Sequence, residues 1–468
     1  MRELLDRQRA AFMAELPVPL DVRKDRLKRA IALVADNADR FCDALSQDFG
    51  HRSREQSMIA DIAASVGPLR HALKHVGRWA RSERKPVMFP LGLLGGRGWI
   101  EYQPKGVAGI IAPWNFPVNL VMSPLAGVFA AGNRAMVKTS EFTPVVAALF
   151  EELTPRYFAV EELAFVSGGP EIGKAFAALP FDHLLFTGAT GIAKHILHAA
   201  ADNLTPVTLE LGGKSPVVVG RSADVAQATE RVAMGKMLNA GQICLAPDYM
   251  LVPEEKEREI VEGLTRAASA MYPSLLANPD YTAVINDRHH SRLNDWIDDA
   301  RAKGAEVIAV NPAGEDFAAS NSRKLPLHII RGATDEMTVM QEEIFGPVLP
   351  VRSYRHIDEA IAEVNRRDRP LALYYFGNDA AERRHVLDRT ISGGVTLDDV
   401  IFHVSQEELP FGGIGPSGTG AYHGEAGFRT FSHARSIYKQ PRLDVAKLAG
   451  MKPPYGKATQ ATIRRQMK

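Results

Sequence analysis

His183-Leu184-Leu185-Phe186-Thr187-Gly188-Ala189-Thr190-Gly191-Ile192-Ala193-Lys194 runs from a short apolar stretch through a glycine turn into a helical pattern, and a second apolar run, 207–209, follows it. Apolar run, turn, helix, apolar run is the sign of a βαβ unit, whose two strands lie parallel in one sheet. Working outward, three more runs precede this pair, at 107–112, 135–138 and 163–167. Together they predict an α/β fold with a Rossmann-type parallel sheet over 107–220. Ligands of such sheets sit at the carboxyl ends of the strands, so the residues just after each run carry the interest.

After the first run stands Pro113-Trp114-Asn115-Phe116-Pro117, and after the second Lys138-Thr139-Ser140-Glu141. The turn at Gly188 opens a helix whose free N–H groups suit a pyrophosphate, although the full G-x-G-x-x-G pattern is missing. The fifth run ends in Glu210-Leu211-Gly212-Gly213-Lys214. A glutamate closing a buried strand is either functional or salt-bridged to a nearby Lys or Arg.

Elsewhere, Leu27, Ile31, Val34, Ala38, Phe41 and Leu45 recur at spacings of three and four, predicting an amphipathic helix over 24–48 with Cys42 beside its apolar stripe. Helical patterns continue to about residue 82 and break at two prolines and a glycine in 85–92; 98–104 reads as a strand. Beyond 216 the alternation continues less regularly, with strands expected at 325–330 and 347–351 and a helix end at Gln341-Glu342-Glu343-Ile344-Phe345-Gly346-Pro347. The stretch 410–420 packs five glycines and two prolines into eleven residues, either for a close backbone approach or as a turn-rich connection.

Lys plus Arg, 56, nearly equals Asp plus Glu, 55, so charge provides no reason to expect nucleic acid or an anionic membrane as partner. The uncharged span 106–133 is long enough to cross a bilayer, but Pro113, Pro117, Pro124, Asn115 and Asn119 argue for a buried strand, loop and helix. A charged N-terminus without an apolar core and two isolated cysteines point to a reducing, cytoplasmic setting.

The chemistry is expected at Asn239-Ala240-Gly241-Gln242-Ile243-Cys244-Leu245-Ala246-Pro247. A cysteine between Ile243 and Leu245 is more often a small core residue than a nucleophile. No Lys, Arg or His stands within four residues of it, so an activating partner must come from elsewhere in the chain.

Five motifs in order change that balance: Pro113-Trp114-Asn115-Phe116-Pro117, Glu210-Leu211-Gly212-Gly213-Lys214, Gly241-Gln242-Ile243-Cys244, Glu343-Ile344-Phe345-Gly346-Pro347 and Pro410-Phe411-Gly412-Gly413. Together they resemble the NAD(P)-dependent aldehyde dehydrogenase superfamily, over about residues 7–440. Gly420-Ala421-Tyr422-His423-Gly424 resembles its class 3 branch, and 242–249 is similar to bacterial coniferyl aldehyde dehydrogenases. The resemblance implies a cofactor domain (1–90 and 104–210), a second α/β catalytic domain (211–395), and bridging or oligomerisation segments (91–103 and 396–468).

It further implies Cys244 as nucleophile, Glu210 as general base and Asn115 as side-chain half of an oxyanion hole. Trp114, Lys138, Glu141, Gly188, Glu343 and Phe345 are implied to bind the cofactor, NAD with NADP possible, and the class 3 likeness implies a homodimer. No metal site is expected. The family's frequent Pro and second Gly are replaced by Thr139 and Ala193, and the latter change bears on pyrophosphate packing.

Those groups suit aldehyde oxidation. A trigonal carbonyl carbon gives up hydride poorly, so a thiolate adds first, and the negative oxygen is met by the Asn115 amide and the Cys244 N–H. A buried Glu210 with raised pKa would then activate water against the thioester. A cofactor-independent thioester hydrolase or acyltransferase is the alternative from the same pair, and a non-catalytic relative another. Relatives that release acyl-CoA typically lack the glutamate matched by Glu210, which favours the free acid. The aldehyde is expected to be aromatic, such as coniferyl aldehyde, with an aliphatic aldehyde the alternative.

Overall fold

A computed structural model describes residues 1–467. The five predicted runs are strands: Val107–Ile111, Arg134–Lys138, Leu163–Val166, His183–Thr187 and Val207–Glu210. All pair in parallel, in the spatial order 163–166, 134–138, 107–111, 183–187, 207–210. The chain therefore builds outward from 107–111 in one direction and then in the other, which opens a crevice beyond the carboxyl ends of 107–111 and 183–187. Strands 107–111, 134–138 and 183–187 are buried from end to end, which is why they read as continuous rather than alternating runs.

A sixth strand, Gly418–Thr419, lies antiparallel to 207–210, with Gly418 opposite Glu210. This decides the reading of the glycine-rich stretch in favour of close approach. A Cβ on Gly418 would collide with the Leu209 carbonyl, one on Gly413 with the Ser417 carbonyl, and φ is +143° at Gly418.

A second sheet has the order 306–310, 327–331, 348–354, 249–253, 216–219, 372–376, 394–397, parallel except for its first pair. It includes the expected strands as Leu327–Arg331 and Val348–Tyr354. A third, antiparallel sheet joins Glu83–Lys85, Arg97–Pro104 and Ser432–Lys439, with Trp99 opposite Ile437.

The single helix expected over 24–48 is two, Leu20–Ala35 and Ala38–Phe49. The Asn37 amide donates to the Leu33 carbonyl at 2.9 Å, satisfying an acceptor left free at the first helix's end. The apolar spacing continues in phase across the break, so periodicity alone conceals it. Helices then continue to Trp79, with one π-helical turn at Met58–Ala63. The uncharged span holds a strand, a loop and the buried helix Asn119–Ala131. Among the described residues no helix is long and apolar enough to cross a membrane.

Candidate active site

Cys244 follows an unusual turn. Asn239, Ala240 and Gly241 all have positive φ, at 50°, 52° and 72°. Two successive non-glycine residues in the left-handed region cost on the order of 1 kcal/mol or more each, so surrounding bonds must hold them. The Gln56 side chain accepts from the Asn239 N–H at 2.9 Å. Gln242 donates to the Asn239 and Ala283 carbonyls at 2.9 and 3.1 Å and accepts from the Ile285 N–H at 2.9 Å. Gly241 must be glycine, since a Cβ there would strike the Gly346 carbonyl in the 343–347 motif.

Two carboxyl groups flank the sulfur. Glu210, 1% exposed, ends its strand facing Cys244 and Thr187, yet neither of its oxygens completes a hydrogen bond. Burial raises its pKa to about 8, with Cys244 and Thr187 pulling it slightly back. Glu343 is likewise raised to about 8, by burial and then by the Asp248 charge. Its carboxyl rests where a Cβ on Gly212 would be, so the Gly212-Gly213 turn is what admits it. The Cys244 thiol itself is pushed well up, by burial first and then by Glu210 and Glu343. A thiol of that kind gives up its proton to a neighbouring base rather than to bulk water.

Asn115, 3% exposed, donates from Nδ2 to the Gln242 carbonyl at 3.2 Å, which places its amide beside the Cys244 turn. Cys244, Glu210 and Asn115, far apart in sequence, thus lie close together. The sequence did not reveal the frame around them. Lys214 pairs with Asp248 at 2.7 Å and donates to the Val339 and Glu342 carbonyls at 2.7 and 3.0 Å, while Asp248 accepts from the Ile344 N–H at 3.0 Å. Two of the motifs, 210–214 and 343–347, are therefore tied by one buried ion pair to Asp248, four residues beyond Cys244. Lys236, fully buried on the helix leading into the turn, has its pKa lowered to about 8 by that burial.

The remaining predicted residues fall along the same rim. The Trp114 ring meets Phe345 edge-on at 5.3 Å, and Phe345 has a φ of 50°. Lys138, at the end of its buried strand, donates to the more exposed Glu141 at 3.0 Å. Gly188 packs against the Phe186 ring and donates its N–H to the Glu210 carbonyl at 3.1 Å. Ala193 is buried in an apolar cluster with Phe186, Ile196 and Leu209. Thr139 Oγ1, Thr187 Oγ1 and Glu343 Oε1 are sealed from solvent without hydrogen-bond partners, and a Cβ on Gly191 would meet only open space. Unsatisfied polar atoms lining a rim with an open helix entry fit a polar, phosphate-bearing dinucleotide.

The aldehyde dehydrogenase family model matches residues 2–437. The chain belongs to the aldehyde dehydrogenase family. It is 54% identical to a coniferyl aldehyde dehydrogenase of Pseudomonas sp. (strain HR199 / DSM 7063), over 97% of this chain and 93% of that protein. It is 35% identical to the "Aldehyde dehydrogenase, dimeric NADP-preferring" of Canis lupus familiaris, over 97% of each. Among solved structures, Staphylococcus aureus AldH in a substrate-bound state superposes with a TM-score of 0.92 at 33% identity, over 100% of this chain and 99% of that one. This aldehyde dehydrogenase is therefore an NAD(P)-dependent enzyme that oxidises an aldehyde to the acid.

Proposed function

We propose that Cys244 is the nucleophile, Glu210 its base, and the Asn115 amide with the Cys244 N–H the oxyanion hole. The observation that carries this reading is the buried Glu210 carboxyl, free of hydrogen bonds, facing the Cys244 thiol. Glu210 takes the thiol proton and the sulfur bonds to the aldehyde carbon. The carbonyl oxygen becomes negative and is met by the two donors. A nicotinamide held by Glu343 and Phe345 would supply the acceptor for the hydride that this carbon then releases. Once Glu210 has returned its proton to solvent, it takes another from water as that water attacks the thioester. The C–S bond breaks and the acid leaves.

Trp114, Lys138, Glu141, Gly188, Glu343 and Phe345 hold the cofactor in this reading, with Lys138 and Glu141 at the adenosine ribose. A carboxylate at Glu141 accepts from a ribose 2′-hydroxyl and repels a 2′-phosphate, which supports NAD+ as preferred and NADP+ as tolerated. Residues 1–90 and 104–210 form the cofactor domain and 211–395 the catalytic domain. Segments 91–103 and 396–468 bridge copies in a homodimer, a reading supported by the dimeric class named for the canine relative. The setting is cytoplasmic.

The substrate is an aromatic aldehyde of the coniferyl type, supported by the name of the Pseudomonas relative. Steady-state kcat/KM for coniferyl aldehyde, benzaldehyde and straight-chain aldehydes, each with NAD+ and NADP+, tests it. Coniferyl aldehyde with NAD+ is expected to lead by about tenfold or more, the discrimination available to a pocket contact of a few kcal/mol. A straight-chain aldehyde in first place overturns the aromatic assignment.

A further inference from the structure

Arg52 and Asp61 side chains are both completely shielded from solvent, with a guanidinium nitrogen 2.8 Å from a carboxylate oxygen. Neither takes part in the chemistry above. Burying two charges costs several kcal/mol each, and their attraction offsets this only when further hydrogen bonds are well made.

Those bonds lead to the active site. Arg52 Nη1 donates to the Asn115 backbone carbonyl at 3.0 Å, and the guanidinium lies over the Phe49 and Phe116 rings at 4.7 and 5.0 Å. Asp61 Oδ1 accepts from the Val118 and Asn119 N–H groups at 3.1 and 2.8 Å, at the entry to the helix Asn119–Ala131. The pair thus grips 115–119 at both ends. The Asn115 carbonyl also accepts from Asn239 Nδ2 at 3.2 Å. That same Nδ2 lies 3.2 Å from the Gln242 carbonyl, which in turn accepts from the Asn115 amide. One hydrogen-bonded frame therefore carries the Asn115 amide and the turn that presents the Cys244 N–H. An amide nitrogen has two hydrogens, so the bond to Gln242 leaves one for a substrate oxygen.

We propose that Arg52, neutralised by Asp61, is a positioning residue that aims the Asn115 amide at the developing oxyanion. The proposal rests on the reading of Asn115 as an oxyanion donor. Such donors act only at hydrogen-bonding distance from the oxygen of the transition state, and small displacements are costly. Arg52 does this from sixty-three positions away in sequence.

The test compares Arg52→Lys, the paired Arg52→Met with Asp61→Asn, Asn115→Ala, and Arg52→Lys in the Asn115→Ala background. Lysine keeps a charge for Asp61 but lacks the planar fork that reaches Asn115 as well. The paired change removes both charges and leaves an acceptor for Val118 and Asn119. Readouts are kcat, the single-turnover rate of NADH formation, aldehyde KM, NAD+ affinity and Tm. Both Arg52 variants are expected to lose about tenfold in kcat and single-turnover rate with KM and NAD+ affinity within about twofold, and Asn115→Ala about a hundredfold. Adding Arg52→Lys to Asn115→Ala should cost nothing further, because the group it aims is gone.

Unchanged rates in the Arg52 variants, or losses that multiply in the double variant, overturn the positioning role while leaving Asn115 as donor. Unchanged rates in Asn115→Ala overturn the donor reading, and this proposal with it. If neither Arg52 variant accumulates as folded, NAD+-binding protein, the pair is a folding element and the proposal is overturned.

Discussion

The molecule's two cysteines lie in regions that differ in backbone. Cys42 sits in the regular helix Ala38–Phe49, inside the main apolar cluster. Cys244 is half-buried at the end of three left-handed residues. Burial is the leading reason that both thiols are raised above their ordinary pKa. Cys42 feels its neighbouring carboxylates only as distant charges, whereas Cys244 faces Glu210, whose own pKa of about 8 makes it a base. In the proposed reading Cys244 is thus distinguished by a partner to receive its proton and not by being the more acidic of the two.

The comparison breaks most sharply on substitution. Cys244→Ala should lower aldehyde-dependent NADH production by at least about ten-thousandfold and leave NAD+ binding intact, while Cys42→Ala should stay within about twofold. Activity surviving in the first variant, or lost in the second as folded protein, would reverse the assignment of roles. Next in size, Glu210→Gln should slow steady-state turnover by about a hundredfold or more while a slowed burst of one NADH per site still precedes it, seen by stopped flow. A wild-type rate that rises with pH through about 8, and a Glu210→Gln rate that does not, would tie that carboxyl to the profile.

A smaller effect concerns the strand behind the base. Gly418→Ala forces a Cβ into the Leu209 carbonyl at an unfavourable φ, and should lower kcat by about tenfold with Tm falling a few degrees. The smallest effect is on stability. Because burial raises the Glu210 pKa in the fold, its protonated form is favoured there, and that contribution is present below about pH 4.5 and lost as pH rises through about 8. Glu210→Gln should therefore melt a few degrees above wild type near pH 9 and match it near pH 4, by calorimetry.

The cofactor sheet was legible because its central strands are buried on both faces and its runs end in polar residues, so Asn115, Lys138 and Glu210 could be placed from their runs alone. The helix break at Asn37 was not, because the apolar stripe keeps its phase across it. Nor was the turn at Asn239 and Ala240, whose left-handed backbone is imposed by side chains from Gln56 and Gln242. Arg52 and Asp61 read as ordinary charges in a helical region. Their value arises only when folding brings Asn115 and Asn119 against them.

The two-residue strand Gly418–Thr419 also orders events in time. A chain leaving the ribosome presents the strand bearing Glu210, and then Cys244, well before residue 418 emerges. Until then that strand is an open edge with no neighbour on one side, free to fray. Glu210 and Cys244 are thus synthesised before the strand that covers the edge beside Glu210.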